Sequence, residues 1–247
     1  MRLFYDLHLH SCLSPCGDDE MTPMNIAGMA KILGLDIIAL TDHNSVANCN
    51  AFFEACEIYG IVPIPGMELT TSEEIHLVCL FSSLEQADEF GRIVKRVLPG
   101  IKNRPDIFGR QIIYAPGDIP AGEEELLLIN AASLSLENAA DTVRSIGGIC
   151  FPAHIDRDSG GIIAILGDMP PYPRFGLCEI SDISKINGYI KKHPLLSGCR
   201  FISDSDAHSL ETMKEARNAF EISVPAGENS DTIRSGIIEY LRSLSQQ

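Results

Sequence analysis

Short apolar runs alternate with longer amphipathic stretches along most of the chain. Leu3–Leu7, Asp36–Leu40, Ile61–Ile64, Ile75–Phe81, Ile149–Pro152, Gly176–Ile180 and Arg200–Ser203 have the length and apolar character of buried strands. Between them, Pro23–Leu33, Val46–Tyr59, Leu84–Val97, Leu136–Ser145, Ile183–Lys191 and Leu210–Ala219 space their apolar residues for helices, and Asp231–Leu244 adds a last one. Thr22-Pro23 predicts an N-cap followed by proline in the first helical position. Strands alternating with helices predict an α/β fold on a parallel sheet, open or closed. Strands as continuously apolar as Ile37–Leu40 predict burial on both faces. The stretch Pro99–Asn130 breaks the rhythm with Pro, Gly and two short apolar runs, Gln111–Ala115 and Leu126–Ile129. A segment of about 30 residues cannot bury a core alone, so 99–130 predicts a hairpin or lid inserted into one domain spanning 1–247.

Composition narrows the class. The 247 residues carry 34 Asp and Glu against 19 Lys and Arg, a formal charge of −15. Without Lys/Arg clusters, counterion release offers little, which argues against a nucleic-acid partner and against a polybasic membrane anchor. No apolar run approaches the ~20 residues of a membrane span. The start, MRLFYDLHLHS, reaches charged and imidazole residues too early for a secretory signal. Most of the eight cysteines (Cys79, Cys150 and Cys178 among them) sit in apolar runs and read as reduced core thiols. These features predict a cytoplasmic protein and leave its oligomeric state open.

Histidine carries the chemical signal. Six of the seven histidines fall at or just past predicted strand ends: His8, His10, His43, His76, His154 and His208. Each keeps carboxylate or imidazole company, as in Asp6-Leu7-His8-Leu9-His10, Thr41-Asp42-His43-Asn44, Glu68 with His76, Pro152-Ala153-His154-Ile155-Asp156-Arg157 and Asp206-Ala207-His208. Residues i and i+2 of a strand share a face, so His8 and His10, or Asp206 and His208, can grip one ion. A lone strand-end histidine is ordinarily structural. Six, converging where parallel α/β folds build their sites, point instead to divalent metal. Imidazole with carboxylate suits Zn²⁺, Mn²⁺ or Fe²⁺, and the number of donors suits more than one ion. No G-x-S-x-G elbow, phosphate-cradling loop or hydride-carrier motif is present, so no organic cofactor is expected.

His8-x-His10, Thr41-Asp42-His43-Asn44, isolated Glu68, Pro152-Ala153-His154 and Asp206-x-His208 together resemble the PHP (polymerase and histidinol phosphatase) family, in its order and over most of the chain. The resemblance implies a distorted, TIM-like barrel of seven β/α units, two or three divalent metals and phosphoester hydrolysis. His8, His10, Glu68 and Asp206 would hold a first metal, and Glu68 would bridge to a second held by His76 and His154. His43 and His208 would belong to a third. The family's further third-metal ligand is absent, since Pro15 and Cys16 occupy those positions. The Cys16 thiolate, or Asp18 or Asp19 bending back, would have to replace it, unless Cys16 is a free loop thiol.

The chemistry implied is attack by a hydroxide held between two ions. His208, His43 or Asp42 would aid the leaving group, although Asp42 reads equally as an orienter of imidazole. Arg157 would grip phosphate unless paired with Asp156 or Asp158, and Glu179 faces the same mouth as a substrate contact. The expected activity is a stand-alone phosphoesterase acting on a small phosphorylated metabolite or nucleotide. The alternatives are a histidinol-phosphate phosphatase and a non-catalytic, metal-stabilised binding module.

Overall fold

The computed structural model describes residues 2–221 and 229–244. Strand β1 (Arg2–Leu9) leads through α1 (Pro23–Ile32) to β2 (Ile37–Leu40), then through α2 (Cys49–Tyr59) to β3 (Val62–Thr70). After β4 (His76–Leu80) come α3 (Leu84–Val97), the short α4 (Pro105–Phe108) and the hairpin β5 (Ile112–Ala115) and β6 (Ile119–Glu123). The chain continues through α5 (Leu136–Ile146), β7 (Ile149–Pro152), α6 (Ile162–Leu166), β8 (Leu177–Glu179), α7 (Ile186–Lys192), β9 (Arg200–Ile202), β10 (Ala219–Glu221) and α8 (Ser230–Leu244).

The main sheet has six strands in the order β10-β1-β2-β3-β4-β7, with β8 and β9 forming a parallel pair beside it. Within that sheet only β1, β2 and β3 pair in parallel; β4 is antiparallel to both β3 and β7, and β10 is antiparallel to β1. The expected all-parallel sheet fails for a simple reason. The link between Thr70 and His76 is too short for a crossover, so β4 must turn straight back. The sheet is curled. Ile155 N–H donates to the Glu179 carbonyl beyond β7, and Leu9 bridges Ala207 on the other side.

Two apolar clusters follow from the curl. Ile38 and Leu40 join Phe52, Phe81 and Phe90 under the outer helices, whereas Ile37 and Ala39 pack inside with Leu7, Ile64 and Phe151. Alternate residues of one strand thus enter different clusters, which explains the continuously apolar sequence. Ile237, Ile238 and Leu241 of α8 join the inner cluster beside Leu3 and Tyr5. That packing covers the end of the curl where β1 begins and leaves the histidine-bearing end free.

Other boundaries depart from the pattern. The expected helix Leu210–Ala219 is a single 3-10 turn, Leu210–Thr212, closed by a Ser209–Thr212 capping box. The chain then extends so that Ala219–Glu221 can pair with the edge of β1. Strand β3 runs on through Pro63, Pro65 and Gly66 to Thr70, fully buried. The prolines punctuate the sequence without ending the strand, and a Cβ on Gly66 would lie 2.8 Å from the Cys79 carbonyl oxygen. Within 99–130, the second hairpin strand is Ile119–Glu123, while Leu127 and Leu128 are buried. Among the described residues no helix is long and apolar enough to cross a membrane.

Candidate metal centre

Glu68, buried near the end of β3, is the hub. Its carboxylate lies 3.4 Å from His8 Nε2, 3.3 Å from His10 Nε2, 3.1 Å from His43 Nδ1, 2.9 Å from His76 Nδ1 and 3.1 Å from His154 Nε2. Asp206 Oδ1 lies 3.3 Å from His8 Nε2 and 3.1 Å from His10 Nε2. His208 stacks on His10 with ring centroids 4.0 Å apart.

The outer partners decide which nitrogen faces inward. His8 Nδ1 lies 2.8 Å from Glu179 Oε2, a carboxylate that can only accept, so His8 donates there and turns Nε2 to the centre. Ser14 Oγ donates to Asp42 Oδ1 at 2.7 Å, which leaves its lone pairs for His10 Nδ1–H at 3.0 Å and His43 N–H at 3.1 Å. His208 Nδ1–H donates to the Asp206 carbonyl at 2.9 Å. The inward atoms His8 Nε2, His10 Nε2, His43 Nδ1 and Asp206 Oδ1 are buried with no hydrogen-bond partner. Buried polar atoms left in this way require an explanation, and aromatic nitrogens with carboxylate oxygens are donors fitted to divalent transition metals. Three groups bring their ligand atoms within 4.8 Å: His8, His10, Glu68 and Asp206; His43, Glu68 and His76; and His10, His43 and His208.

The backbone is strained where these groups converge. His154, Asp206 and Asn44 have φ of 24°, 51° and 51°, in a region that side chains other than glycine seldom enter. Gly160, at φ 70°, accepts from His76 N–H, and a Cβ there would stand 2.6 Å from the His76 ring.

Electrostatics splits the imidazoles into two kinds. Burial favours neutral His10, yet the carboxylates of Asp206 and Glu68 beside it hold its pKa up at about 9. Glu179, Asp206 and Glu68 likewise outweigh burial at His8 and raise it. His208 is pushed down to about 4 by burial and by His10, and burial drives His43 well below its ordinary value. Glu68 and Asp206 stay well below the usual carboxylate range despite burial, held there by the surrounding imidazoles.

Each residue named from the sequence has a definite place. His8, His10, Glu68 and Asp206 form one group, while Glu68 and His76 gather with His43, and His154 touches Glu68 outside the three groups. Cys16 lies on the exposed rim and joins none of them among the described residues; desolvation and nearby Glu68 push its thiol up to about 12. Asp42 does not face the mouth. Its oxygens are taken by Ser11 N–H, Ser11 Oγ and Ser14 Oγ, so it orients His10 through Ser14. Glu179, expected to touch substrate, is buried behind His8 and accepts from His154 N–H as well. Arg157 pairs with Asp206 and Ser181 Oγ, not with Asp156 or Asp158. Ser14 and Gly160 were not singled out. Gly160 stands far from His76 in sequence and carries no donor atom, so only the fold reveals it.

Such a donor set, at the strand ends of a curled α/β sheet, places the chain among metal-dependent hydrolases. The PHP domain model matches residues 6–141, and the chain belongs to that family. It is 35% identical over 79 residues to a 5'-3' exoribonuclease of Haemophilus influenzae, covering 31% of this chain and 28% of the relative. It is 31% identical over 114 residues to an error-prone DNA polymerase of Symbiobacterium thermophilum, covering 46% of this chain and 10% of the relative. Its fold is similar to that of a lesion-specific endonuclease from Pyrococcus furiosus, with a TM-score of 0.62 and 22% identity over 97% of this chain and 56% of the other. The chain thus spans only part of each. These relatives, named for work on RNA or DNA, overturn the expectation of a small phosphorylated partner to the exclusion of nucleic acid. Net charge averages over a whole surface, whereas a metal centre sets the field at one mouth.

Proposed function

We propose that the chain hydrolyses phosphodiester bonds in nucleic-acid strands. The observation that carries this reading is the setting of the ligand cluster. Asp206 and His208 open onto a hollow of about 700 Å³, shared with Arg157 and rimmed by Cys16, Asp18, Ile107 and Phe108. Those four rim residues are exposed. A pocket for a small metabolite would enclose most of it; this hollow leaves room for a chain to continue past the reacting phosphate. The relatives named for RNA and DNA support the same reading.

His8, His10, Glu68 and Asp206 would hold one divalent cation, and Glu68 with His43, His76 and His154 a second. His10, His43 and His208 are placed for a third, with Zn²⁺, Mn²⁺ or Fe²⁺ suiting the donors. Bound there, the cations would supply Lewis acidity, activating water and offsetting phosphoryl charge. The chain's own part is orientation. Glu179 and Ser14 fix the tautomers of His8 and His10, and the low pKa of His208 and His43 keeps both neutral at pH 7, suited to ligation and not to proton donation. Arg157 at the mouth offers a guanidinium to a phosphate oxygen once Asp206 turns to a cation. Affinity built on one or two phosphates at such a centre does not need a basic face, which reconciles the reading with a charge of −15. The scaffold we assign is one domain, a distorted seven-stranded barrel of β1–β4 and β7–β9, with 99–130 as its insertion.

The test is cleavage of end-labelled RNA and DNA strands by protein loaded separately with Mn²⁺, Zn²⁺ and Fe²⁺, beside a His10→Ala variant. Strand products that vanish in the variant are expected. Intact strands together with phosphate release from monoesters would refute the reading.

A further inference from the structure

One feature of the hollow is unused by the metal centre. In the same hollow as Arg157 and His208, the insertion presents Ile107 and Phe108, 56% and 37% exposed, with neither side chain packed into the core. The turn that carries them is well anchored. Phe108 N–H donates to Arg104 O at 2.9 Å, Asn103 Nδ2 to Gly109 O at 2.9 Å, and Asn103 N–H to Glu125 O at 2.8 Å. Gly109, at φ 78°, turns the chain back beside Pro15. An anchored turn that leaves an aromatic ring part-exposed at the lip of a metal centre, outside both apolar clusters, adds little to the core.

We propose that Phe108, flanked by Ile107, is a stacking platform for a nucleobase adjoining the phosphate at the metal centre, an inference that rests on the strand-cleaving reading above. The chemistry fits on both sides. A base has an apolar π-face and needs no particular hydrogen-bond partner, and Phe offers only a face. The rest of the hollow's lining supplies charge and metal ligands, Arg157, His208 and Asp206. The platform adds affinity without basic residues, as an acidic chain requires, and it favours strands that bear bases over bare sugar-phosphate.

The experiment uses the fact that the chain has no tryptophan. Phe108→Trp places a single indole on the exposed turn, where it reports stacking with no cleavage needed. Emission is expected to be quenched by a short single strand and not by the same strand built of abasic sugars, whose binding is followed by anisotropy of an end label. In parallel, Phe108→Ala is expected to lower kcat/KM on the base-bearing strand by about tenfold, so that its preference over the abasic strand collapses. Phe108→Trp retains that preference. Strands bound or cut while the indole emission stays unchanged and Phe108→Ala keeps the preference would overturn the platform alone. Strands neither bound nor cut by the unsubstituted chain would overturn the platform and the strand-cleaving reading together.

Discussion

The Ser14 hydroxyl stands 2.7 Å from Asp42 Oδ1 and spends its only proton there. That proton fixes the next link, because the Ser14 oxygen can then only accept from His10 Nδ1–H, at 3.0 Å. Asp42→Asn would keep that link, because Oδ1 also accepts from Ser11 N–H at 2.7 Å and only an amide oxygen suits that position. Asp42→Ala removes the acceptor, frees the serine proton to turn toward His10, and favours the tautomer with hydrogen on the inward nitrogen. Partners of this kind are worth about 10–100-fold in metal affinity, and a loss in that range is expected for Asp42→Ala and for Ser14→Ala. Chelator competition with Mn²⁺ or Zn²⁺ measures it, with circular dichroism as the control for folding. Unchanged affinity in Asp42→Ala would contradict the tautomer argument.

Metal uptake should depend on pH through His10. Its pKa of about 9 means that the inward nitrogen carries a proton at neutral pH, which a cation must displace. Apparent affinity therefore rises from neutral pH and levels off above about 9, with proton release seen by calorimetry in buffers of different ionisation enthalpy. For chelated protein the signs divide. His208, at about 4 against an ordinary 6.5, contributes stability that is present above 6.5 and lost as pH falls toward 4. His10 contributes stability that is present below 6.5 and lost as pH rises through about 9. Considered through these two groups, Tm of the chelated protein peaks near 6.5 and falls on both sides; a monotonic profile from pH 5 to 9 would contradict the assignment.

Gly160 offers a cleaner structural probe. Gly160→Ala must accommodate φ of 70° and a methyl 2.6 Å from His76 Cγ, so the imidazole has to move. Strain of this kind costs about 1–3 kcal/mol. The larger expected effect is one fewer ion per chain by elemental analysis, since His76 leaves Glu68. Full metal content with an undisturbed rate would show that His76 is not a ligand.

The site was legible where neighbours in sequence are neighbours in space. His8 and His10 share a strand face, Asp206 and His208 flank one turn, and both pairs stand out by spacing. What joins through the fold was not legible. Ser14 reaches Asp42 only because the loop folds back at Gly17, where a Cβ would lie 2.4 Å from the Ser11 carbonyl oxygen. Glu179 was found as a polar strand end, but whether it faces the mouth or the back of His8 depends on how β8 sits beside β7. The fold shows the same division. Local periodicity places α3 at Leu84–Val97. The helical spacing in Leu210–Ala219 loses to the unpaired edge of β1, a demand made by a strand at the other end of the sequence.

Asn44 ties the segment 99–130 to the metal centre. At φ 51°, directly after His43, it donates through Nδ2 to Leu128 O at 2.6 Å and Asn130 O at 2.9 Å and accepts from Thr70 N–H at 2.9 Å. Asn44→Asp keeps the size and the acceptor but turns a buried carboxylate toward two carbonyl oxygens. Leaving such groups unsatisfied costs about 2–3 kcal/mol, read as a lower denaturant midpoint. The penalty falls first on segment 99–130, which the Asn44 side chain holds by two bonds, against one to β3. Trypsin should therefore cut faster at Lys102 and Arg110, both exposed, while the histidine-bearing strands stay protected. Uniform cleavage across the chain would mean that Asn44 supports the whole fold; faster cleavage confined to those sites would show that segment 99–130, with Phe108, is held beside the metal centre through this side chain.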